Sequence, residues 1–153
     1  MSVILAVCIT LLTLLSMEAI TWLTHKYVMH GFLWFLHEDH HQPNYTSWFE
    51  KNDLFFVIFA IPSAVLMYNG IKHHFNVSFY IGLGILIYGI CYFLIHDVII
   101  HQRFKWFKNV KWKYIQALRK GHKMHHKQMG KKGSESFGML LVPWKYFNEK
   151  YNT

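Results

Sequence analysis

Cysteine is scarce in this chain of 153 residues. The scarcity argues against a small protein held together by zinc–thiolate sites or by disulfides. The two cysteines, Cys8 and Cys91, both lie inside apolar runs with no metal-binding spacing between them. We therefore interpret them as packing residues, not as thiolate ligands of zinc or as a disulfide. A glycine-rich dinucleotide fingerprint and a flavin motif are also missing, so no bound NAD or flavin is predicted.

Charged and titratable side chains are almost missing from three long stretches. Residues 54–68 and 77–95 contain no Asp, Glu, Lys, Arg or His, and residues 3–24 contain one, Glu18. The first and third stretches are long enough to cross a hydrocarbon core of about 30 Å. The second is short, and it needs its flanks, a thinner bilayer or burial among other helices to cross. We therefore predict an all-α integral membrane protein with about three to four transmembrane helices, forming one domain over residues 1–153.

Acidic residues are few in the last third of the chain, and this predicts the orientation in the membrane. Thirteen of the 16 Lys and Arg lie in residues 101–153, against two acids. Such a tail could bind nucleic acid, but the tail follows directly on an apolar run, which favours the positive-inside rule and no nucleic-acid partner. No positive charge precedes the first run, so we interpret it as a retained span and not as a signal peptide. Three spans then place Met1 outside and the basic tail in the cytoplasm.

Histidine, in contrast, is abundant, and ten of the 12 histidines repeat one pattern twice. Each copy reads His-x4-His and then His-x2-His-His. The first copy contains His25, His30, His37, His40 and His41, and the second contains His96, His101, His122, His125 and His126. With three spans, both copies emerge on the cytoplasmic side, whereas His73 and His74 face the opposite side. The ten histidines therefore predict a metal-binding cap on the cytoplasmic side of the helices.

The spacing within each motif has a helical interpretation. Positions i, i+3 and i+4 share one face of a helix, so each His-x2-His-His is expected to present one cluster of three imidazoles. In the second copy the expected stripe runs from Trp112 to Met129, and in the first copy Pro43 limits the helix. The His-x4-His pair is harder to place, because positions i and i+5 lie about 140° apart. A helix end, indicated by Gly31 after His30, a π-bulge, or two separate ions would each resolve this conflict.

Ten imidazoles exceed the needs of one ion, so we predict two. Iron, zinc, copper and nickel all accept imidazole, and ligand type alone leaves the metal open. Three acids are candidates for orienting an imidazole or serving the site: Asp39 and Asp97, which adjoin histidines, and Glu18, which precedes His25 by seven residues on the same helix face. Glu18 is equally well explained as a protonated, hydrogen-bonded group within the bundle.

The four histidine motifs, in this order, resemble those of the membrane fatty acid hydroxylase and sterol desaturase superfamily, and most of all those of the bacterial β-carotene 3-hydroxylases. The segments that carry the resemblance are HKYVMHG at 25–31, HEDHHQP at 37–43, FEKNDL at 49–54, YFLIHDVIIHQR at 92–103, HKMHH at 122–126 and SFGMLLVP at 136–143. The resemblance implies two non-haem iron ions held by the ten histidines, with O₂ as co-substrate and a separate electron donor such as ferredoxin.

The same resemblance implies a reaction and a place. The substrate would be β-carotene, hydroxylated at C3 of each β-ionone ring to β-cryptoxanthin and then zeaxanthin, in the bacterial cytoplasmic membrane. Two alternatives stay open. One is a hydroxylase of another lipid, such as a fatty acid or a sterol. The other is a histidine-rich metal transporter or storage protein, although a transporter needs ionisable groups across the bilayer midplane and only Glu18 lies within a span.

Overall fold

The computed structural model describes residues 1–42 and 47–148, and this part of the chain is helical, with no strand in it. The α-helices are α1 (Val3–Leu23), α2 (Trp34–His41), α3 (Leu54–Lys72), α4 (Val77–Tyr92) and α5 (Lys113–His126). Two π-helices continue the long ones: π1 (Thr24–Phe32) follows α1, and π2 (Phe93–Ile100) follows α4. Short 3₁₀ helices cover Lys51–Asp53, Lys105–Phe107 and Trp144–Phe147.

Three continuous helices are long and apolar enough to cross a membrane: Val3–Phe32, Lys51–Lys72 and Val77–Ile100. They confirm the predicted class of an all-α membrane protein with three spans in the described residues. The second span was predicted to be short from its apolar run, residues 54–68. It is 22 residues long because the 3₁₀ turn before α3 and the last turn of α3 extend it. A helix of that length measures about 33 Å, so the flanks supply the length that the apolar run lacks.

Helix α4 lies between α1 and α3 and packs on both through small residues. At Gly82 the α3 backbone is so near that an added Cβ would lie 2.8 Å from the Ser63 carbonyl oxygen. The Ser63 hydroxyl donates to the Gly82 carbonyl at 2.7 Å, which closes the same contact with a hydrogen bond. At Gly84 an added Cβ would lie 2.8 Å from the Thr10 carbonyl oxygen of α1. Small residues at such crossings let helix backbones approach closely in a membrane.

Substituting Gly84→Ala should destabilise the bundle, because the new methyl group meets backbone that cannot rotate away. Overpacking of this kind typically costs about 1–3 kcal/mol. Gly89→Ala is the matched control, since its Cβ would meet no atom closer than 4.0 Å. Denaturant unfolding of the two purified variants in detergent measures the difference. Equal stability of Gly84→Ala and Gly89→Ala would contradict this account of the α1–α4 contact.

A cap covers one end of the three spans, and it is built from π1 and π2, which end the first and third spans, together with α2, α5 and the loops around them. Helix α5 buries one face, including Ile115, Leu118 and His125. The predicted stripe was wrong at both ends, where Trp112 is 77% exposed and Met129 is 54% exposed. The reason is that α5 begins at Lys113 and ends at His126, so helical spacing applies to neither residue. Pro43, expected to limit α2, lies outside the described residues.

Candidate metal centre

The ten patterned histidines come together at the cap end of the spans, in two neighbouring groups. In cluster one, ring nitrogens lie within 4.8 Å of one another on His25, His30, His37, His41 and His125. Cluster two meets the same limit with His40, His101, His122 and His126. The tenth, His96, adjoins cluster two, with its Nε2 3.1 Å from that of His40. His73 and His74 lie at the other end of the bundle, where α3 turns into α4.

The two clusters do not correspond to the two copies of the sequence pattern. His37 and His41 belong to cluster one, but His40 between them belongs to cluster two. In the second motif, the outer residues His122 and His126 belong to cluster two, and His125 belongs to cluster one. The expectation that each His-x2-His-His forms one cluster was therefore wrong. The physical reason is that positions i and i+4 lie about 40° apart on a helix, whereas i+3 lies about 100° from i+4 and can face a second ion.

The π-helices resolve the conflict in the His-x4-His spacing. Within π1, His25 and His30 have ring centroids 5.3 Å apart and join the same cluster. At the end of π2, the backbone N–H of His101 donates to the carbonyl of His96 at 2.8 Å, which is the five-residue step of a π-helix. After π1 brings its two histidines together, the backbone leaves helical geometry at Gly31 (φ −104°, ψ −123°) and turns towards α2.

In cluster one, every Nδ1 faces an oxygen that accepts a hydrogen bond. Four are backbone carbonyls and one is the side-chain amide oxygen of Asn52. The pairs are His25 with Phe137 at 3.0 Å, His30 with Lys131 at 3.1 Å, His37 with Asn52 at 2.7 Å, His41 with Gln128 at 3.0 Å and His125 with Glu135 at 2.9 Å. Because a carbonyl oxygen cannot donate, each Nδ1 carries the proton. A neutral ring then has a bare lone pair at Nε2.

Burial keeps the rings of His37, His41 and His125 neutral. It lowers the pKa of His37 to about 2, that of His125 to about 2 and that of His41 to about 4, because a charged imidazolium loses its hydration there. The structure nevertheless points Nε2 atoms at one another at 3.1 Å, in the pairs His25–His37, His30–His125 and His41–His125. Lone pairs facing each other repel unless a cation lies among them. Two nitrogens bound at about 2.1 Å to one ion are themselves roughly 3.0–3.4 Å apart, so the donor set fits a metal.

Carboxylates, instead of carbonyls, support His40 of cluster two and the adjoining His96. The Nδ1 of His40 donates to Glu50 Oε2 at 2.6 Å, and the Nδ1 of His96 lies 3.3 Å from Asp97 Oδ2. Arg103 bridges these acids, reaching Glu50 at 3.2 Å, Asp97 at 3.3 Å and Asp53 at 3.0 Å. Carboxylates behind imidazole ligands fix the ring orientation and raise the basicity of the ligand nitrogen.

The metal-facing side of cluster two is also neutral and partly open. Burial lowers the pKa of His40, His101 and His122 well below the usual value and that of His126 to about 3. Within the part of the chain that the structure describes, His126 Nε2 is buried without a hydrogen-bond partner. A cavity of about 320 Å³ opens here, lined by imidazoles together with Ile100 and Lys123. An orphaned buried nitrogen beside a cavity suits a ligand atom for an ion that a small molecule can reach.

The three candidate acids have different surroundings. Asp97 lies beside the ring of His96, where the sequence placed it, and its role in the site stays a prediction. Asp39 Oδ2 accepts the backbone N–H of Lys51 at 2.6 Å, and among the described residues it forms no hydrogen bond with an imidazole, so its role in the site also stays a prediction. Asp39 lies about 200° from His37 around the helix, which turns it away from cluster one. Glu18 bonds to the loop after α5 and not to a histidine, as described below.

Sequence reasoning missed three residues that contact the clusters or support them: Glu50, Asn52 and Arg103. All three lie in segments that carried the resemblance, FEKNDL and YFLIHDVIIHQR, and this was the signal available. Spacing could not assign them, because Asn52 meets His37 across 15 residues and Arg103 meets Asp53 across 50. Contacts of that range depend on how the spans return to the same end of the bundle.

Comparisons with known proteins identify the family of the chain. The fatty acid hydroxylase family model matches residues 10–149. A β-carotene hydroxylase of Pantoea ananas is 41% identical over 135 residues, which cover 88% of this chain and 76% of that protein. A β-carotene hydroxylase of Paracoccus sp. (strain PC1) is 35% identical over 136 residues, covering 88% of this chain and 83% of its own length. A chloroplastic β-carotene 3-hydroxylase of Haematococcus lacustris is 36% identical over 134 residues, which cover 84% of this chain and 41% of that protein.

No solved structure matches the chain. The family match extends over most of the sequence, and it includes all ten histidines of the two clusters. This chain belongs to the fatty acid hydroxylase family.

Proposed function

We propose that residues 1–153 form a single membrane hydroxylase domain that hydroxylates the β-ionone rings of β-carotene at C3, giving β-cryptoxanthin and then zeaxanthin. The observation that supports metal binding is that neutral imidazoles direct their Nε2 atoms towards one another in two adjoining clusters. The substrate is inferred from the relatives, which are named β-carotene hydroxylases and are up to 41% identical over most of this chain.

Two iron ions would be held by the ten histidines, one by cluster one and the other by cluster two with His96. When bound, they would supply the reduction of O₂ to an oxidant strong enough for an unactivated ring C–H bond. The electrons would come from a separate protein such as ferredoxin.

The chain itself contributes orientation and exclusion of water. Carbonyl and carboxylate acceptors hold the Nδ1–H groups of the five imidazoles in cluster one and of His40 and His96, so these rings present Nε2 in a fixed direction. His37, His41 and His125 are all buried, which keeps competing water from the inner side of the site. Carotene is about as long as the hydrocarbon core is thick, so it can lie along the spans with one ring at the cap.

Expression in cells that make β-carotene tests the proposed reaction. We expect β-cryptoxanthin and zeaxanthin in the extracted pigments, and unchanged β-carotene in cells with an empty vector. Hydroxylated fatty acids or sterols, with carotene untouched, would identify another lipid as the substrate. Altered cellular metal content with every lipid unchanged would favour a transporter or storage protein.

The proposed orientation places the cap in the cytoplasm and Met1 outside. Its basis is the basic tail together with three spans, which put His73 at the opposite end from the cap. After replacement of Cys8 and Cys91 by serine, we expect His73→Cys to react with a membrane-impermeant maleimide on intact cells. Gly130→Cys should react only after permeabilisation. Labelling of both positions from the same face would contradict the three-span arrangement.

A further inference from the structure

Glu18 is a carboxylate inside the first span, 7% exposed, whose partners lie 70 to 123 residues away along the chain. Its Oε1 accepts the backbone N–H groups of three consecutive residues, Met139 at 2.9 Å, Leu140 at 2.9 Å and Leu141 at 2.8 Å. Its Oε2 accepts the hydroxyl of Tyr88 at 2.8 Å. Four donors replace the water that an ionised carboxylate would lose on burial. Glu18 therefore binds a loop that lies 121 to 123 residues further along the chain.

That loop also carries the supports of cluster one. We define the strap as residues 128–141, which follow α5. The strap supplies the carbonyls of Gln128, Lys131, Glu135 and Phe137, which accept the Nδ1–H of four of the five imidazoles in cluster one. The Phe137 ring also stands edge-on to His25, His30 and His125, with centroids 5.1–5.4 Å apart. The position of the strap therefore sets the direction of these imidazoles.

We infer that Glu18 is a positioning residue for the metal of cluster one, acting through the strap. Its bonds to Met139–Leu141 lie only two to four residues beyond Phe137, so release of the carboxylate frees the carbonyl that holds His25. His40 of cluster two and the adjoining His96 take their acceptors from Glu50 and Asp97, which lie outside the strap. Loss of Glu18 therefore disturbs one cluster and spares the other. The inference rests on the proposed metal site for its effect on iron, but not for the attachment of the strap.

Gly138 provides an independent view of the same contact. A Cβ built at Gly138 would lie 3.0 Å from Glu18 Oε1 and 2.7 Å from the carbonyl oxygen of Leu141. The backbone wraps so tightly around the carboxylate that a side chain at this position does not fit. Gly138→Ala therefore loosens the strap without removing any charge from the first span.

The test compares Glu18→Leu, Glu18→Gln and Gly138→Ala in the full chain, purified from membranes. Leucine removes the acceptor. Glutamine keeps a carbonyl oxygen for the three N–H groups, and the Tyr88 hydroxyl can turn to accept from its amide. Two readouts follow: iron per chain with its Mössbauer spectrum, and the rate of trypsin cleavage at Lys131 and Lys132 within the strap.

For Glu18→Leu and Gly138→Ala we expect cleavage faster by about tenfold, as local opening of the strap predicts. We also expect loss of the iron of cluster one, with the iron of cluster two retained. Glu18→Gln should restore the wild-type cleavage rate and most of the iron. Tyr88→Phe is the control for bundle packing, and it should leave both readouts near wild type because Oε1 keeps its three donors.

Wild-type cleavage and full iron in Glu18→Leu would overturn the inference. So would a slow-cleaving Glu18→Leu variant that loses iron from both clusters together, since this indicates a general defect of the bundle. A wild-type chain that binds iron without hydroxylating carotene would overturn the proposed function and leave the inference intact. If the wild type binds no iron, the proposed function fails, and unaltered trypsin rates in the variants would overturn the inference separately.

Discussion

Substituting His125→Ala is expected to abolish hydroxylation, although it removes one imidazole of ten. His125 is fully buried, and its Nε2 lies 3.1 Å from the Nε2 atoms of both His30 and His41. Its loss therefore opens the middle of cluster one to water and removes the Nε2 atom nearest to those of both His30 and His41. The fall in turnover should exceed about 100-fold, the upper end for residues that only orient a ligand. Zeaxanthin yield and iron per chain, both normalised to protein in the membrane, measure the effect.

His40→Ala should have the same consequence for cluster two, because the Nε2 of His40 lies 3.1 Å from that of His96. The matched control is His73→Ala, which removes an exposed imidazole at the opposite end of the bundle and should leave turnover near normal. An essential His73 together with a dispensable His125 would show that the histidines have been divided wrongly between site and surface.

Arg103→Met should cause the second largest loss, about 10–100-fold in turnover, although Arg103 contacts no imidazole through a hydrogen bond in the described residues. Its guanidinium lies within 3.0–3.3 Å of three carboxylates, those of Glu50, Asp53 and Asp97. Two of these acids support His40 and His96. Without the cation, the three acids repel one another and no longer hold the imidazoles in place. The expected readouts are lower zeaxanthin yield and loss of the iron of cluster two.

Arg103→Lys should recover only part of the activity, because an ammonium group is a point charge and cannot reproduce the fork that reaches several carboxylates. Lys105→Met is the control for net charge. Lys105 is exposed and lies two residues after Arg103, so the substitution removes one surface cation from the same segment. If Arg103→Met and Lys105→Met lower turnover equally, the effect belongs to the charge of the surface and not to the acids behind cluster two.

The membrane class and the location of the site could be predicted from the sequence, because both depend on features that are local in the chain. A long run without charges can cross the bilayer at any position in the chain. The two histidine copies begin directly after the first and third runs. The π-helical step was among the options that the His-x4-His spacing left open. The second span was underestimated, because Lys51–Asp53 and residues 69–72 look polar in isolation and yet continue the helix.

The resemblance to the family also came from the sequence, since its motifs are short and their order is specific. Spacing alone left iron unassigned, because imidazole does not discriminate among several metals.

What only the tertiary structure decided is which histidine lies in which cluster and which group lies behind each ring. On one helix, His37, His40 and His41 share a broad face, and their separation into two clusters requires α5 to supply His125 on one side and His126 on the other. The acceptors of Nδ1 come from the strap, from Asn52 and from Glu50, which are distant in sequence from the rings they hold. Glu18 was noticed because a carboxylate in a span is costly. Its partners became visible only when the chain folded back, because backbone N–H groups carry no sequence signal.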